Sequence, residues 1–249
     1  MAKGEVVDET GNRLQPDSAY RVGACIFYYR EVNDETVIPF SEQVLYQDEH
    51  LLVADKPHFL PVIPAGNFLH ETLLVRLRKK FNIEELAPVH RLDRETAGVV
   101  LFSMNAGTRG QYTSLFRNRQ VTKVYEALAP TLDQGEFSTM RRSRIVRGEP
   151  FFRMKEIAGE ANSETYIRRI ETLKDHSLYQ LVPSTGRKHQ LRLHMAALGM
   201  PILNDKLYPE LNNSAADDFS RPLKLLARSL LFQDPVTGQE HYFESRIKL

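Results

Sequence analysis

Short apolar runs typical of β-strands alternate irregularly with segments of helical periodicity, and this order limits the folds open to the chain. Residues 44–46 and 51–54 flank a polar turn, as in a strand pair, and residues 98–103 form a short apolar, β-branched run. Further strand candidates are residues 123–129, 165–170 and 177–183. Because strands and helices follow no regular βαβ rhythm, the sequence favours an α+β domain with a largely antiparallel sheet over a doubly wound one.

Apolar residues recur at helical spacing in residues 71–82, again around residues 112–119, and a third time in residues 187–198. With 249 residues and 42% hydrophobic content, the chain is long enough to bury one substantial core. Residues 1–40 are acidic and rich in turn formers. We therefore expect an N-terminal extension over residues 1–40, which is not a complete RNA-binding domain, and a main domain over residues 41–249.

Charge is distributed unevenly along the chain. Residues 1–50 contain 4 Lys or Arg against 10 Asp or Glu, whereas residues 105–155 contain 10 against 4. The basic stretch includes Arg141, Arg142 and Arg144, with Phe151 and Phe152 close behind. Such a combination can supply phosphate contacts and stacking surfaces for a nucleic acid, and a solvated loop explains it equally well.

Several classes of protein fit this composition poorly. Cys25 is the only cysteine, so neither an internal disulfide nor a cysteine zinc site can form. The N-terminus lacks the order of a secretion signal, and no apolar run approaches the roughly 18 residues that span a bilayer. His189 and His194 are spaced unlike two ligands of one metal ion. We expect a cytoplasmic protein with no membrane anchor, no metal and no cofactor.

Two clusters of charged residues are candidates for chemistry. His90, Arg91, Asp93 and Arg94 precede the strand at 98–103, where a rigid sheet edge would present a carboxylate kept ionised by its arginine neighbours. A structural salt-bridge loop is the competing interpretation.

The second cluster lies where the third helix is expected to begin. His189 and Arg192 would lie about 60° apart on that helix and would project together from its first turns. Arg187 and Lys188 add positive charge at a helix end that is already positive, so a phosphate or Asp93 is expected nearby. A solvated basic helix end is the alternative.

Four segments resemble, in the right order, motifs of the RluA branch of the pseudouridine synthases. They are residues 48–57, residues 90–98, residues 123–127, and residues 185–194 followed by 199–202 and Asp205. The likeness covers roughly residue 44 to the C-terminus. It departs from the family at Ala97, where serine is frequent, and at Asn204, where glycine is frequent.

The resemblance implies the pseudouridine synthase fold, an α+β domain with a long, mostly antiparallel mixed sheet and a catalytic cleft across its middle. It implies an isomerase that converts a flipped-out uridine of structured ribosomal or transfer RNA into pseudouridine. We expect a monomer with no obligatory protein partner. A catalytically inactive RNA-binding or RNA-remodelling protein on the same fold is the alternative. A nucleosidase or glycosidase is a more distant one, and it would need a second carboxylate such as Glu95 beside Asp93.

The resemblance also assigns residues to roles. Asp93 would be the catalytic carboxylate, Arg192 its bidentate ion-pair partner, and Tyr125 the ring that stacks on the target uracil. Arg91 would fill the gap left in the RNA. Further RNA contacts are expected from His90, Arg187, Lys188, His189, Arg141, Arg142 and Arg144.

Overall fold

The computed structural model describes residues 6–28, 34–132, 135–212 and 217–249. The chain forms two compact units, residues 1–35 and residues 36–249. The boundary therefore lies five residues before the expected one, because Ile38 is buried in the core of the larger unit. Its backbone N–H donates to Glu71, and the carbonyl oxygens of Ile38 and Phe40 accept hydrogen bonds from Arg76.

The smaller unit contains two strands, β1 Val6–Asp8 and β2 Ile26–Tyr28, which pair antiparallel. The Asp8 carboxylate accepts hydrogen bonds from the backbone N–H groups of Thr10 and Asn12 and so shapes the turn after β1. In the sequence, residues 25–29 form the only apolar, strand-like run of the N-terminal extension, and its last residue, Tyr29, lies outside the described residues.

One eleven-stranded sheet dominates the larger unit. In chain order its strands are β3 Gln43–Gln47, β4 Leu51–Lys56, β5 Ala87–Pro88, β6 Ala97–Ser103, β7 Thr122–Ala129, β8 Ser138–Arg147, β9 Met154–Ile157, β10 Ser163–Thr172, β11 Ser177–Pro183, β12 Leu225–Gln233 and β13 Glu240–Glu244. Across the sheet the order is β3-β4-β6-β12-β7-β11-β10-β8-β9, with β5 beside β6 and β13 beside β12. Among the described strands only β6 and β12 pair in parallel, so the expected mixed and mostly antiparallel sheet is confirmed.

Helices cover both faces of the strands β4 and β6. The helices in the described ranges are α1 Leu73–Phe81, α2 Arg109–Arg117 and α3 Gln190–Ala197. Alternate strand residues point to opposite faces, so Leu52 packs with α1 while Leu51 packs with α2. Burial on both faces explains why β4 and β6 are apolar throughout most of their length rather than alternating.

Every strand expected from residue 41 onward lies within an observed strand, but six strands were missed, among them the short strands β1 and β5. The basic stretch containing Arg141 forms β8, which pairs with β9 as a hairpin rather than remaining a loop. The C-terminal strands β12 and β13 were also missed. Helix α3 begins at Gln190 and not at Arg187, because His189 adopts a left-handed conformation with φ of 56°.

The parallel contact between β6 and β12 depends on Gly98. Its φ is 116°, and a Cβ atom at this position would lie 2.2 Å from the carbonyl oxygen of Ala227. Only glycine tolerates both the backbone conformation and this approach. Since Ala97 and Gly98 supply both paired positions of β6, glycine here keeps the two central strands together.

We predict that Gly98→Ala lowers the free energy of unfolding by at least about 3 kcal/mol, because strand β12 must move or the backbone must strain. Gly110→Ala is the matched control, since a Cβ there meets nothing within 4 Å and should stabilise α2 by about 0.4–1 kcal/mol. Urea unfolding followed by circular dichroism measures both. Equal midpoints for the two variants would contradict the prediction.

Candidate active site

The loop between β5 and β6 carries Asp93 and is held in place by a half-buried histidine. The ring of His90 stacks on Phe116 at 4.4 Å between centroids, and its Nε2 accepts a hydrogen bond from the Leu101 N–H at 3.1 Å. Burial, assisted by the charge of Lys123, lowers the pKa of His90 to about 3, so the ring is neutral. His90 is therefore a neutral ring fixed to β6, and its expected contact with RNA stays a prediction.

The two arginines beside Asp93 differ in their partners. Arg94 donates to Asp217 at 2.6 and 2.9 Å and to Glu95 at 2.9 and 3.2 Å, and it lies over the ring of Phe68. The carboxylates that pair with Arg94 are therefore Glu95 and Asp217, and not Asp93. Arg91 is exposed and lines the same cleft as Asp93.

Arg192 lies at the centre of a buried ion cluster. Only 1% of its side chain is exposed, so the expectation of an exposed cationic pair with His189 is wrong. Its Nε and Nη2 donate to the two carboxylate oxygens of Asp205 at 2.7 and 2.6 Å. The resemblance had implied that Asp93 is the bidentate partner of Arg192. The structure shows that this partner is Asp205.

The third nitrogen of Arg192 points to the loop of Asp93. Nη1 is buried without a hydrogen bond, 3.7 Å from Oδ2 of Asp93 and 3.6 Å from Oε2 of Glu95. Burial raises the pKa of Glu95, but the charges of Arg192 and Arg94 outweigh that effect, and the net direction is downward. Glu95 is therefore an ionised member of the site that sequence reasoning had set aside.

Asp205 was part of a recognised motif but was given no role. Its carboxylate also accepts hydrogen bonds from the backbone N–H groups of Leu207 and Tyr208. These bonds orient Asp205 independently of Arg192. The preceding Asn204 has φ of 63°, a conformation in which glycine is favoured and asparagine is tolerated. This explains how asparagine can stand where the family often has glycine.

Lys56 is a second residue whose place in the site was missed. It is fully buried, and its Nζ donates to the carbonyl oxygens of Pro57, Leu60 and Arg94 at 3.0, 2.8 and 3.0 Å. Burial lowers the pKa of Lys56 to about 7, against the opposing charges of Glu95 and Asp93. The bond to the Arg94 carbonyl ties strand β4 to the residue directly after Asp93.

His189 connects the site to the β8–β9 hairpin. Its Nε2 lies 3.9 Å from Oδ1 of Asp93, and its Nδ1 lies 2.8 Å from the hydroxyl of Tyr208. That hydroxyl accepts a hydrogen bond from the Met154 N–H at the start of β9. Burial lowers the pKa of His189, so a neutral imidazole stands beside Asp93.

Tyr125 projects from β7 into the cleft that Asp93 lines. The side chain is half-buried, and burial together with the charge of Asp93 raises the pKa of its hydroxyl. The phenol therefore stays protonated at neutral pH. A ring that lines the cleft and carries a protonated hydroxyl near a carboxylate can stack on a flat base and can transfer a proton.

The cleft has a volume of about 910 Å³ and carries strong positive charge. Eight of the residues lining it are Lys or Arg: Arg91, Arg94, Arg117, Arg119, Lys123, Arg187, Lys188 and Arg192. Asp93 is the sole carboxylate among its described lining residues. Such a cleft favours a polyanion and brings its target to one carboxylate.

The structure separates the expected site residues into two groups. The first lines the cleft together and consists of Asp93, Arg192, Tyr125, Arg91, His90, Arg187, Lys188 and His189. Arg141, Arg142 and Arg144 lie outside it on β8, where Arg141 pairs with Glu156 and Arg142 with Glu164. Arg144 is exposed and packs over Gly159.

Two searches of the described ranges concern other kinds of site. Residues 6–28, 34–132, 135–212 and 217–249 contain no group of three or more His, Cys, Asp or Glu side chains arranged to hold a metal ion. Over the same ranges, no helix has the length and apolar character needed to cross a membrane.

Comparison with known proteins identifies the fold and its chemistry. A family model for RNA pseudouridylate synthase matches residues 50–197. The chain belongs to the RNA pseudouridylate synthase family. Its enzymes are isomerases, and the expected RluA-type relationship is confirmed by a chain from Haemophilus influenzae named dual-specificity RNA pseudouridine synthase RluA. That chain is 32% identical over 82% of this chain and 92% of its own length.

Two further relatives agree with this assignment. A chain from Pasteurella multocida named tRNA pseudouridine synthase C is 30% identical over 80% of this chain and 88% of its own length. The solved structure of human RNA pseudouridylate synthase domain containing 1 superposes with a TM-score of 0.69 at 25% identity, covering 83% of this chain and 84% of that one. The expected pseudouridine synthase fold is therefore confirmed.

We predict that Asp205→Asn lowers the free energy of unfolding by about 3–5 kcal/mol, because it leaves the buried Arg192 charge without its bidentate partner. Asp175→Asn, at an exposed residue of the β10–β11 turn, is the matched control and should change stability by at most about 0.5 kcal/mol. Urea unfolding compares the two variants. A loss for Asp205→Asn no larger than that of the control would show that Asp93 and Glu95 suffice to hold Arg192.

Proposed function

We propose that this enzyme isomerises a uridine in structured ribosomal or transfer RNA, with Asp93 as its catalytic carboxylate. The observation that carries the proposal is the meeting of Asp93, Tyr125 and Arg192 in one cleft whose other charged lining residues are cations. The names of two relatives, a dual-specificity RNA enzyme and a transfer RNA enzyme, support this class of substrate.

The reaction breaks the bond between C1′ of the ribose and N1 of the uracil, turns the base, and joins C5 to C1′. The proton on C5 is lost and N1 gains one, so no external cofactor is consumed. The target uridine leaves its stack to reach Asp93, and the carboxylate either attacks C1′ or stabilises the charge that develops there. Tyr125 stacks on the uracil, and its hydroxyl exchanges a proton with the base.

Arg192 acts on Asp93 through charge. Its Nη1 is the donor that faces Oδ2, at 3.7 Å, and the buried surroundings strengthen the attraction relative to water. His189 stands on the other carboxylate oxygen of Asp93. On the rim, Arg91 occupies the gap left by the extruded base, and Arg187 and Lys188 contact neighbouring phosphates.

The geometry opposes a glycosidase on the same residues. A glycosidase that uses two carboxylates needs one of them to carry a proton at neutral pH, which requires a raised pKa. Glu95 is the carboxylate that stands with Asp93 at Arg192, and its pKa is lowered by Arg192 and Arg94 despite burial. It cannot serve as the general acid.

We predict that Asp93→Asn reduces tritium release from RNA carrying tritium at C5 of uridine by on the order of 10³-fold or more, because the carboxylate acts on the reacting sugar. RNA affinity, measured by filter binding, should be retained because phosphate contacts provide most of it. Asp217→Asn is the matched control, since Asp217 pairs with Arg94 outside the reacting centre. Tritium release that survives Asp93→Asn would overturn the assignment, and a wild-type protein that binds RNA without releasing tritium would indicate the inactive alternative.

The proposal includes a secondary RNA contact on the β8–β9 hairpin. Replacing Arg141, Arg142 and Arg144 together with alanine should weaken RNA binding and flatten its salt dependence. Because Arg141 and Arg142 already pair with glutamates, Arg144→Ala alone should reproduce most of the loss. Unchanged affinity of the triple variant would return the hairpin to a solvated surface.

A further inference from the structure

One edge of the cleft is formed by cations to which the sequence analysis assigned no role. We call Arg117, Arg119 and Lys123 the α2 rim, because they lie at the end of α2 and on the strand β7 that follows. Within the described part of the chain, none of the three forms an ion pair with a carboxylate. Arg94, Arg141, Arg142 and Arg228, in contrast, all have such partners.

Arg119 occupies a backbone position that favours glycine. Helix α2 ends with the N–H of Gln120 donating to the Leu115 carbonyl and the N–H of Arg119 donating to the Phe116 carbonyl, the hydrogen-bond pattern of a Schellman motif. Arg119 lies at the left-handed residue of this motif, with φ of 58°. Non-glycine residues here strain the backbone, so stability alone does not explain an arginine. The negative end of the helix favours a cation, but Arg117 in the last turn already meets that need.

Lys123 links the α2 rim to the opposite side of the cleft. Its Nζ donates to the Thr185 carbonyl at 3.2 Å, in the loop that leads to Arg187 and Lys188. Burial and the charge of Arg119 both lower the pKa of Lys123, so the two cations disfavour one another in the absence of an anion. The charge of Arg119 contributes to lowering the pKa of Glu164. Glu164, however, already forms an ion pair with Arg142 and accepts a hydrogen bond from Ser184.

We propose that Arg119, with Lys123 beside it, binds a backbone phosphate of the RNA strand that flanks the extruded uridine. The inference rests on the proposed function, because it places the strand between the α2 rim and Arg187 and Lys188 while the base reaches Asp93. A phosphate supplies the negative charge that the two cations lack. It also gives a reason for arginine at a position where the backbone favours glycine.

Arg119→Gly separates this binding role from a structural one. Glycine relieves the left-handed strain, so the thermal midpoint should stay equal or rise. RNA affinity should nevertheless fall about three- to tenfold, and the slope of log affinity against log salt should decrease by about 0.7–0.9, the change expected for one lost phosphate contact. The probes are bulk transfer RNA and ribosomal RNA, each carrying tritium at C5 of uridine, and binding is measured by filter retention. In turnover, KM should rise by more than kcat falls.

Lys174→Gly is the matched control, because it removes one exposed cation from the β10–β11 turn, away from the cleft. Lys123→Gln should lower the salt slope as Arg119→Gly does. A salt slope for Arg119→Gly equal to that of the wild type and of Lys174→Gly would overturn the proposal. The binding assay does not require turnover, so a protein without tritium release would contradict the proposed function and leave the phosphate contact open to measurement.

Discussion

Arg192 is buried among three carboxylates, and the geometry of the site depends on how its nitrogens are divided between them. Two nitrogens are used by Asp205, which follows α3 in the chain, and the third faces Asp93 and Glu95 on the loop before β6. A buried guanidinium is stable only when its charge is compensated. The cluster therefore joins two distant chain segments, and neither can shift without exposing an uncompensated charge.

This division also limits what Arg192 does for Asp93. The bidentate bond to Asp205 fixes the guanidinium plane, so Nη1 cannot approach Asp93 closely without loosening that bond. Asp93 is consequently oriented by charge, and under the proposed function its lone pairs remain available for the substrate. On the other side, the buried Lys56 and the neutral His90 hold the loop by its backbone and its ring. The loop that carries Asp93 thus has little freedom of its own, which is the arrangement that preorganised catalysis by the proposed carboxylate requires.

The sequence predicted those parts of the fold in which local pattern and tertiary environment agree. Helix α1 has an apolar stripe and a basic face, and β6 is a continuous apolar run buried on both sides. Strand β8 was missed because its outward-facing positions carry arginines. These arginines pair with Glu156 and Glu164, which lie on the neighbouring strands β9 and β10.

Among the site residues, the motifs located Asp93, Tyr125 and Arg192. No spacing rule could show that Arg192 is buried or that Asp205 forms the bidentate ion pair with it. The left-handed backbone conformation of His189 could not be predicted from the sequence either. Contacts with Tyr208 and Asp93 hold it there, and not the intrinsic backbone preference of histidine.

A net charge of +1 looks too small for an RNA-binding enzyme until its cations are sorted by partner. Arg94, Arg141, Arg142 and Arg192 are paired with carboxylates and contribute little field at a distance. Arg91, Arg117, Arg119, Lys123, Arg187 and Lys188 line the cleft, and within the described ranges none of them is paired in this way. Many acidic residues lie elsewhere, notably in the first 50 residues. The chain therefore combines near-neutrality overall with a concentrated positive potential at the one place where Asp93 is exposed, and a cleft of this kind focuses the field on its ligand. Under the proposed function, near-neutrality weakens attachment of RNA to the rest of the surface and so directs affinity to the cleft that contains Asp93.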